Sequence, residues 1–317
     1  MAGVDGAVRA VTVAPGVFTQ GDRGRVITPD ALARHVQTLA GEIGERNVFR
    51  PEALAAAADY ITAQWQSQGY QVVPQVYKVR GVASANLEVA RRGVVRPEEI
   101  ILIGAHYDSV AGSPGANDNA SAVAALLEIS RLFMDVEPAI TVRFVAFVNE
   151  EPPFFFWGKM GSMVYAKAAR ARNDDIRLMV SLEMLGCYSD APGSQHYPPL
   201  FRYFHPSRGN FIAFVSNLRS RRAMRRAAAA FRAHSDFPLE HTATFGFIPG
   251  VAWSDHLSFW RAGYHAFMVT DTAFYRYPYY HTAQDSPDKV DYARLARVSE
   301  GLYHAFAELA NGGGKPQ

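Results

Sequence analysis

The first 27 residues show no helical or strand period, and they read as an irregular arm. A clear pattern begins at residue 51. PEALAAAADYITAQWQSQG (51–69) reads as a helix, with Pro51 suited to its first turn and Gly69 to its stop. QVVPQVYKV and NLEVARRG then read as strands. EEIILIGAHYDS and TVRFVAFVNEE are apolar runs that end in polar residues, the pattern of strands buried in a parallel or mixed sheet. IRLMVSLEML, NFIAFVSN and HAFMVTDT continue the strand series. NASAVAALLEISRLF (119–133), MGSMVYAKAARAR, SRRAMRRAAAAFRAH, DHLSFWRAG and DYARLARVSEGLYHAFAELA read as helices, with Asn119 or Ser121 near the cap of the first. Strands alternate with helices over 95–310 without a linker. The pattern predicts an α/β protein, a three-layer α/β/α sandwich on a central mixed, mostly parallel sheet. One domain spans 28–311, between the arm and a flexible tail at 312–317.

Composition narrows the chemistry. With 317 residues, 49% hydrophobic and 20% charged, the chain is long enough to bury a large core. A net charge of +2 gives no electrostatic case for nucleic acid or membranes. Arg221, Arg222, Arg225 and Arg226 recur at helical spacing and read as a solvated stripe. No run of 18 apolar residues occurs, so no membrane insertion is expected. The N-terminus has no apolar signal segment, which predicts a cytoplasmic chain as it stands, or a secreted or periplasmic one whose leader has been removed. The one cysteine, Cys187, excludes an intrachain disulfide and a thiolate-rich zinc site. Any metal must be held by histidine and carboxylate.

Those residue types collect at the predicted strand ends, where open α/β sheets bind ligands. One strand ends in His106-Tyr-Asp108, and Asp118 follows just before a helix. The next ends in Glu150-Glu151, the next near Glu183, and His281 follows the strand HAFMVTDT. Two histidines and three carboxylates suit two zinc ions, each with its own His and carboxylate and one carboxylate shared. Neighbouring side chains on an extended strand point to opposite sides, so one glutamate of the pair can bind metal while the other handles a proton. The spacing alone does not say which. Asp108 is placed to orient His106 through its second ring nitrogen.

Together GAHYDSV, SPGANDNASAVAALLE, FVNEE, MGSMVYA, SLEMLG, SDHLSFWRAG and YYHTAQDSPDKVD resemble the M28 family of zinc exopeptidases over about residues 85–310. The resemblance implies a mixed eight-stranded sheet and a two-zinc centre. By motif, His106 and Glu183 would bind one zinc, Glu151 and His281 the other, and Asp118 would bridge them. Glu150 would be the general base and Asp108 the residue orienting His106. The family often has Asp where this chain has Glu183. The activity implied is removal of N-terminal residues from peptides with a free N-terminus. Tyr280 beside His281 is a candidate for stabilising the oxyanion or for packing. Asp255, Phe154 and Trp157 are candidate substrate contacts, with packing expected for at least two of the four aromatic residues at 154–157. Two rivals share the motif order: glutaminyl-peptide cyclotransferases, which use a single zinc, and M20-like amidohydrolases or carboxypeptidases, which insert a lid domain before the last histidine.

Overall fold

The computed structural model describes residues 26–156 and 158–312. The arm expected over 1–27 lies outside the described residues up to residue 25, as do Trp157 and the tail beyond Gly312. Eight strands form one sheet among the described residues: β1 (Val73–Val79), β2 (Val82–Arg91), β3 (Arg96–His106), β4 (Ile140–Phe147), β5 (Asp175–Glu183), β6 (Ile212–Asn217), β7 (Leu239–Thr244) and β8 (Ala266–Thr270). Their order is β1-β2-β4-β3-β5-β8-β6-β7. The four central strands, β4, β3, β5 and β8, are mutually parallel, and antiparallel pairs join them to β2 and β6. Four carboxyl ends therefore open on one edge.

Helices cover both faces. α1 (Pro29–Val36), α2 (Pro51–Ser67), α3 (Ser121–Phe133), α5 (Arg221–His234) and α7 (Tyr292–Asn311) pack on one side, while α4 (Gly161–Ala171) and α6 (His256–Arg261) pack on the other. Every residue of α3 except Arg131 is buried, because the helix is wedged between the sheet and α1, α2 and α7. No helix of the described residues is long and apolar enough to cross a membrane.

Two elements escape the sequence pattern. α1 continues as a wider turn over Gln37–Ile43, and it buries Leu32, Val36 and Leu39. Its signal was present in Thr28, whose hydroxyl caps Ala31, and in Pro29 at the first helical position. β7 pairs in parallel with β6 at the sheet edge, and only Leu239 of its six residues is buried. A polar edge strand leaves little alternation to read.

The end of β4 is fixed before the chain reaches the glutamates. Asn86 on β2 accepts from Val148 N–H and donates to the Gly161 carbonyl, and Gly161 N–H donates to the Val148 carbonyl. A Cβ on Gly161 would lie 2.3 Å from both Asn86 Oδ1 and the Val148 carbonyl oxygen. Gly161→Ala is therefore expected to destabilise the fold by ~1–3 kcal/mol. Denaturant unfolding should show a lower midpoint at unchanged slope.

Candidate metal centre

The sheet brings the predicted residues to one edge. His106 is the last residue of β3 and Glu183 the last of β5. Asp118 lies in the loop entering α3, Glu150 and Glu151 follow β4, and His281 lies beyond β8. The two histidines flank Asp118, and each glutamate lies beside one of them. His106 Nε2 is 3.5 Å from Asp118 Oδ1 and 3.5 Å from Glu183 Oε1. His281 Nε2 is 3.2 Å from Asp118 Oδ2 and 3.2 Å from Glu151 Oε2. Asp118 thus shows one oxygen to each pair.

The glutamates differ from expectation in their backbone. β4 ends at Phe147, and Asn149 adopts a left-handed conformation (φ 58°), so the pair lies in a turn and not on an extended strand. The side chains still part. Glu151 goes to His281, whereas Glu150 Oε2 stays 3.9 Å from His106 Nε2. Asp108 sets this turn: its two oxygens accept from the main-chain N–H groups of Glu150 (3.1 Å) and Glu151 (3.2 Å). His106 Nδ1 lies nearer the Asp108 carbonyl oxygen, at 3.2 Å, than the carboxylate, at 3.7 Å. The expected orienting contact is thus made mainly by the backbone of Asp108.

Three supports carried no sequence signal of their own. Asp285, four residues past His281, accepts from the N–H groups of Asn117 and Asp118 and from the Tyr277 hydroxyl. It ties the His281 loop to the bridging carboxylate. Ser254 donates to Glu183 Oε2 at 2.6 Å. Arg46 is fully buried, and its guanidinium donates to the carbonyls of Tyr107, Leu39, Gly44, Pro114 and Gly115. That clamp fixes the loops on either side of Asp108 and Asp118. HxD spacing pointed to Asp108, but nothing in the sequence marked Asp285, Ser254 or Arg46.

The candidate substrate contacts fare unevenly. Tyr280 stacks on His281 with ring centroids 3.8 Å apart and lines a cleft that also reaches Glu183. Asp255 is fully buried beneath the site, so it presents no surface to a substrate, and neither of its oxygens has a hydrogen-bond partner. Phe154 packs on the apolar core instead of lining the cleft. The apolar character that suggested a substrate contact is spent on packing. Trp157 lies outside the described residues.

Electrostatics shows what the cluster lacks. His106, Asp108, Asp118, Glu150, Glu151, Glu183 and Asp255 are all buried. With protein charges alone, burial drives Glu150 well above the ordinary carboxylate range and Glu151 up to about 7. Burial also raises Glu183, and it pushes Asp255 up to about 7. Burial opposes protonation of His281, but hydrogen bonds and charge from Asp118 and Glu151 prevail and raise it to about 10. His106 is raised likewise, mainly by Glu183 and Glu150 acting against burial. Such an assembly calls for added positive charge.

The donor set fits metal ions. His106 Nε2 and Glu151 Oε1 are buried without hydrogen-bond partners. Ligand atoms of His106, Asp118 and Glu151 all lie within 4.8 Å of one another. Two ligands on a tetrahedral zinc with bonds of ~2.0–2.1 Å stand about 3.3–3.5 Å apart. The four distances from the two histidines to their carboxylates, 3.2–3.5 Å, lie close to that spacing.

The model of peptidase family M28 matches residues 86–306, and the chain belongs to that family. The Escherichia coli (strain K12) protein YfbL, described as uncharacterized, is 39% identical over 88% of this chain and 87% of its own length. A probable aminopeptidase of Saccharomyces cerevisiae is 27% identical over 69% of this chain, which spans only 55% of that relative. Among solved structures, a zinc aminopeptidase from Bacillus subtilis superposes with a TM-score of 0.72 at 15% identity, over 92% of this chain and 98% of that one. A Fimbriiglobus ruber glutaminyl cyclase superposes with a TM-score of 0.67 at 20% identity, over 93% and 98%. These likenesses confirm the mixed eight-stranded α/β fold. Membership of a peptidase family supports a hydrolase that acts on peptides.

The raised pKa values predict how the chain responds to pH once metal is removed. Asp255, Glu151 and Asp271, each at about 7, favour their protonated forms in the fold. Their contribution is full below the unfolded carboxylate pKa and is lost as pH rises through about 7. His281 acts in the same direction up to about 10. His256, lowered by burial to about 4, acts the opposite way below pH 6.5. Chelator-treated protein is therefore expected to melt at a lower temperature at pH 8 than at pH 5.5. Zinc added at pH 8 should raise the melting temperature and close that gap.

Proposed function

We propose that the chain is a zinc-dependent aminopeptidase that removes the N-terminal residue of a peptide with a free amine. The observation that carries this reading is the division of Asp118, with one oxygen toward His106 and Glu183 and the other toward His281 and Glu151. His106 and Glu183 would hold one ion, His281 and Glu151 a second, and Asp118 both. Zinc there would polarise the scissile carbonyl and make water more acidic.

The remaining work falls to the protein. Glu150 is in neither ligand pair, and Asp108 fixes its main chain. Burial raises its pKa, which makes its carboxylate a stronger proton acceptor near neutral pH. Glu150 takes the proton from the attacking water and returns it to the leaving amine. Tyr280, held by its stack on His281, offers its hydroxyl to the oxyanion. Asp285 and Arg46 keep the ligand loops in register, so little reorganisation is needed during reaction.

The amidohydrolase and carboxypeptidase alternative loses support because β6, β7 and β8, all between Glu183 and His281, complete the sheet and form no separate lid. Glutaminyl cyclisation is separated by assay. Leu-initiated and Gln-initiated peptides should both lose their first residue as a free amino acid. Pyroglutamate formation without release of leucine would contradict the reading. Glu150→Gln should keep its zinc while turnover falls by ~10² or more. Near-normal turnover would remove Glu150 as the base.

A further inference from the structure

The cleft that reaches Glu183 runs sideways across the sheet. Glu183 pairs with Thr270, Thr270 with Ala213, and Ala213 with Glu240, so these four residues stand in one row across β5, β8, β6 and β7. All four line the cleft. Three steps between strands make the row about 14 Å long. The two small residues in the middle leave a trench with a carboxylate at each end.

The trench has aromatic walls. Tyr280, stacked on His281, is followed by Phe274 at 5.8 Å and Trp253 a further 5.3 Å on. The opposite wall is the segment between β5 and β6. There the His205 ring lies parallel to Tyr197 and Phe201, with centroids 5.6 and 6.1 Å away, and its Nδ1 is 3.1 Å from Glu240 Oε2. Among the described residues, His205 provides the one hydrogen bond to the Glu240 carboxylate. A trench meant only for apolar side chains gains nothing from a carboxylate on its floor, since desolvating it on binding is costly.

We propose that this trench receives the side chain of the substrate's N-terminal residue, and that Glu240 fits it to a long cationic side chain, arginine or lysine. The inference rests on the aminopeptidase reading above. Extended arginine and lysine reach roughly 6–7 Å from Cα to the charged end. With a contact of ~3 Å, such a chain carries its charge into the far part of the row, where Glu240 stands. The apolar stem lies along the ring faces, which also attract the cation. His241 adds no opposing charge at neutral pH, because burial first, then Arg232 and Arg225, lower its pKa.

The test is a set of aminoacyl arylamides with Arg, Lys, norleucine, Leu and Phe, hydrolysed by the zinc-loaded full chain and by Glu240→Gln. Norleucine keeps the length of the lysine stem without its charge. The wild type is expected to show kcat/KM for Arg and Lys about tenfold above norleucine. Glu240→Gln should bring both down to the norleucine value and leave norleucine within twofold, which also shows that the variant folds. If that variant does not fold, the wild type decides: L-argininamide should inhibit norleucine hydrolysis about tenfold more strongly than L-norleucinamide. Hydrolysis of norleucine, Leu or Phe arylamides in preference to Arg and Lys would overturn the inference alone. So would a Glu240→Gln loss that is equal for all substrates. Absence of any hydrolysis by protein with full zinc content would overturn the aminopeptidase reading with it.

Discussion

Charge concentration at one sheet edge is the constraint on which the rest of this structure depends. Asp108, Asp118, Glu150, Glu151, Glu183 and Asp255 are buried together, and His106 and His281 are the imidazoles among them. Isolated buried carboxylates cost several kcal/mol each, and such groups normally neutralise or find a cation. Here burial raises four of the carboxylates, and the crowded carboxylates raise both histidines against burial, the signature of a site short of positive charge. The buried guanidinium of Arg46 nearby is spent on five carbonyl oxygens and not on these carboxylates.

The scaffold answers by holding each ligand from behind. Four parallel strands bring their ends to one edge, but alignment of strands alone leaves the loops free. Asp108 fastens the turn of Glu150 and Glu151 through their N–H groups, and Asp285 does the same for Asn117 and Asp118. Both use carboxylates as main-chain anchors, so not every acid at the edge is available to a metal. The edge also continues beyond the ligands. The row from Glu183 to Glu240 makes the same sheet that positions the reaction the floor on which a substrate side chain would be read.

Much of this was legible in the sequence because apolar runs ending in His, Asp or Glu mark buried strands and their functional ends together. His106, Asp118, Glu150, Glu151, Glu183 and His281 all reach one place. What failed was local. Asp255 and Phe154 were read from their neighbourhood in the chain as substrate contacts, yet Asp255 is fully buried and Phe154, half-buried, packs against the core. The glutamate pair was placed on a strand, but the left-handed Asn149 turns the chain two residues after β4 ends. β7 went unseen because a half-buried, polar edge strand carries no clear alternation, although its Glu240 forms the far end of the cleft. Arg46 was invisible because a buried arginine bonded only to carbonyls has no partner residue for sequence spacing to reveal.

The account turns on Asp118 as the shared carboxylate, and metal stoichiometry tests it most directly. Zinc bound per chain after equilibrium dialysis should be two for the wild type. Asp118→Ala, folded by circular dichroism, should retain neither ion tightly, because both pairs lose a ligand at once. A variant that still holds two zinc ions with wild-type affinity would contradict the shared centre.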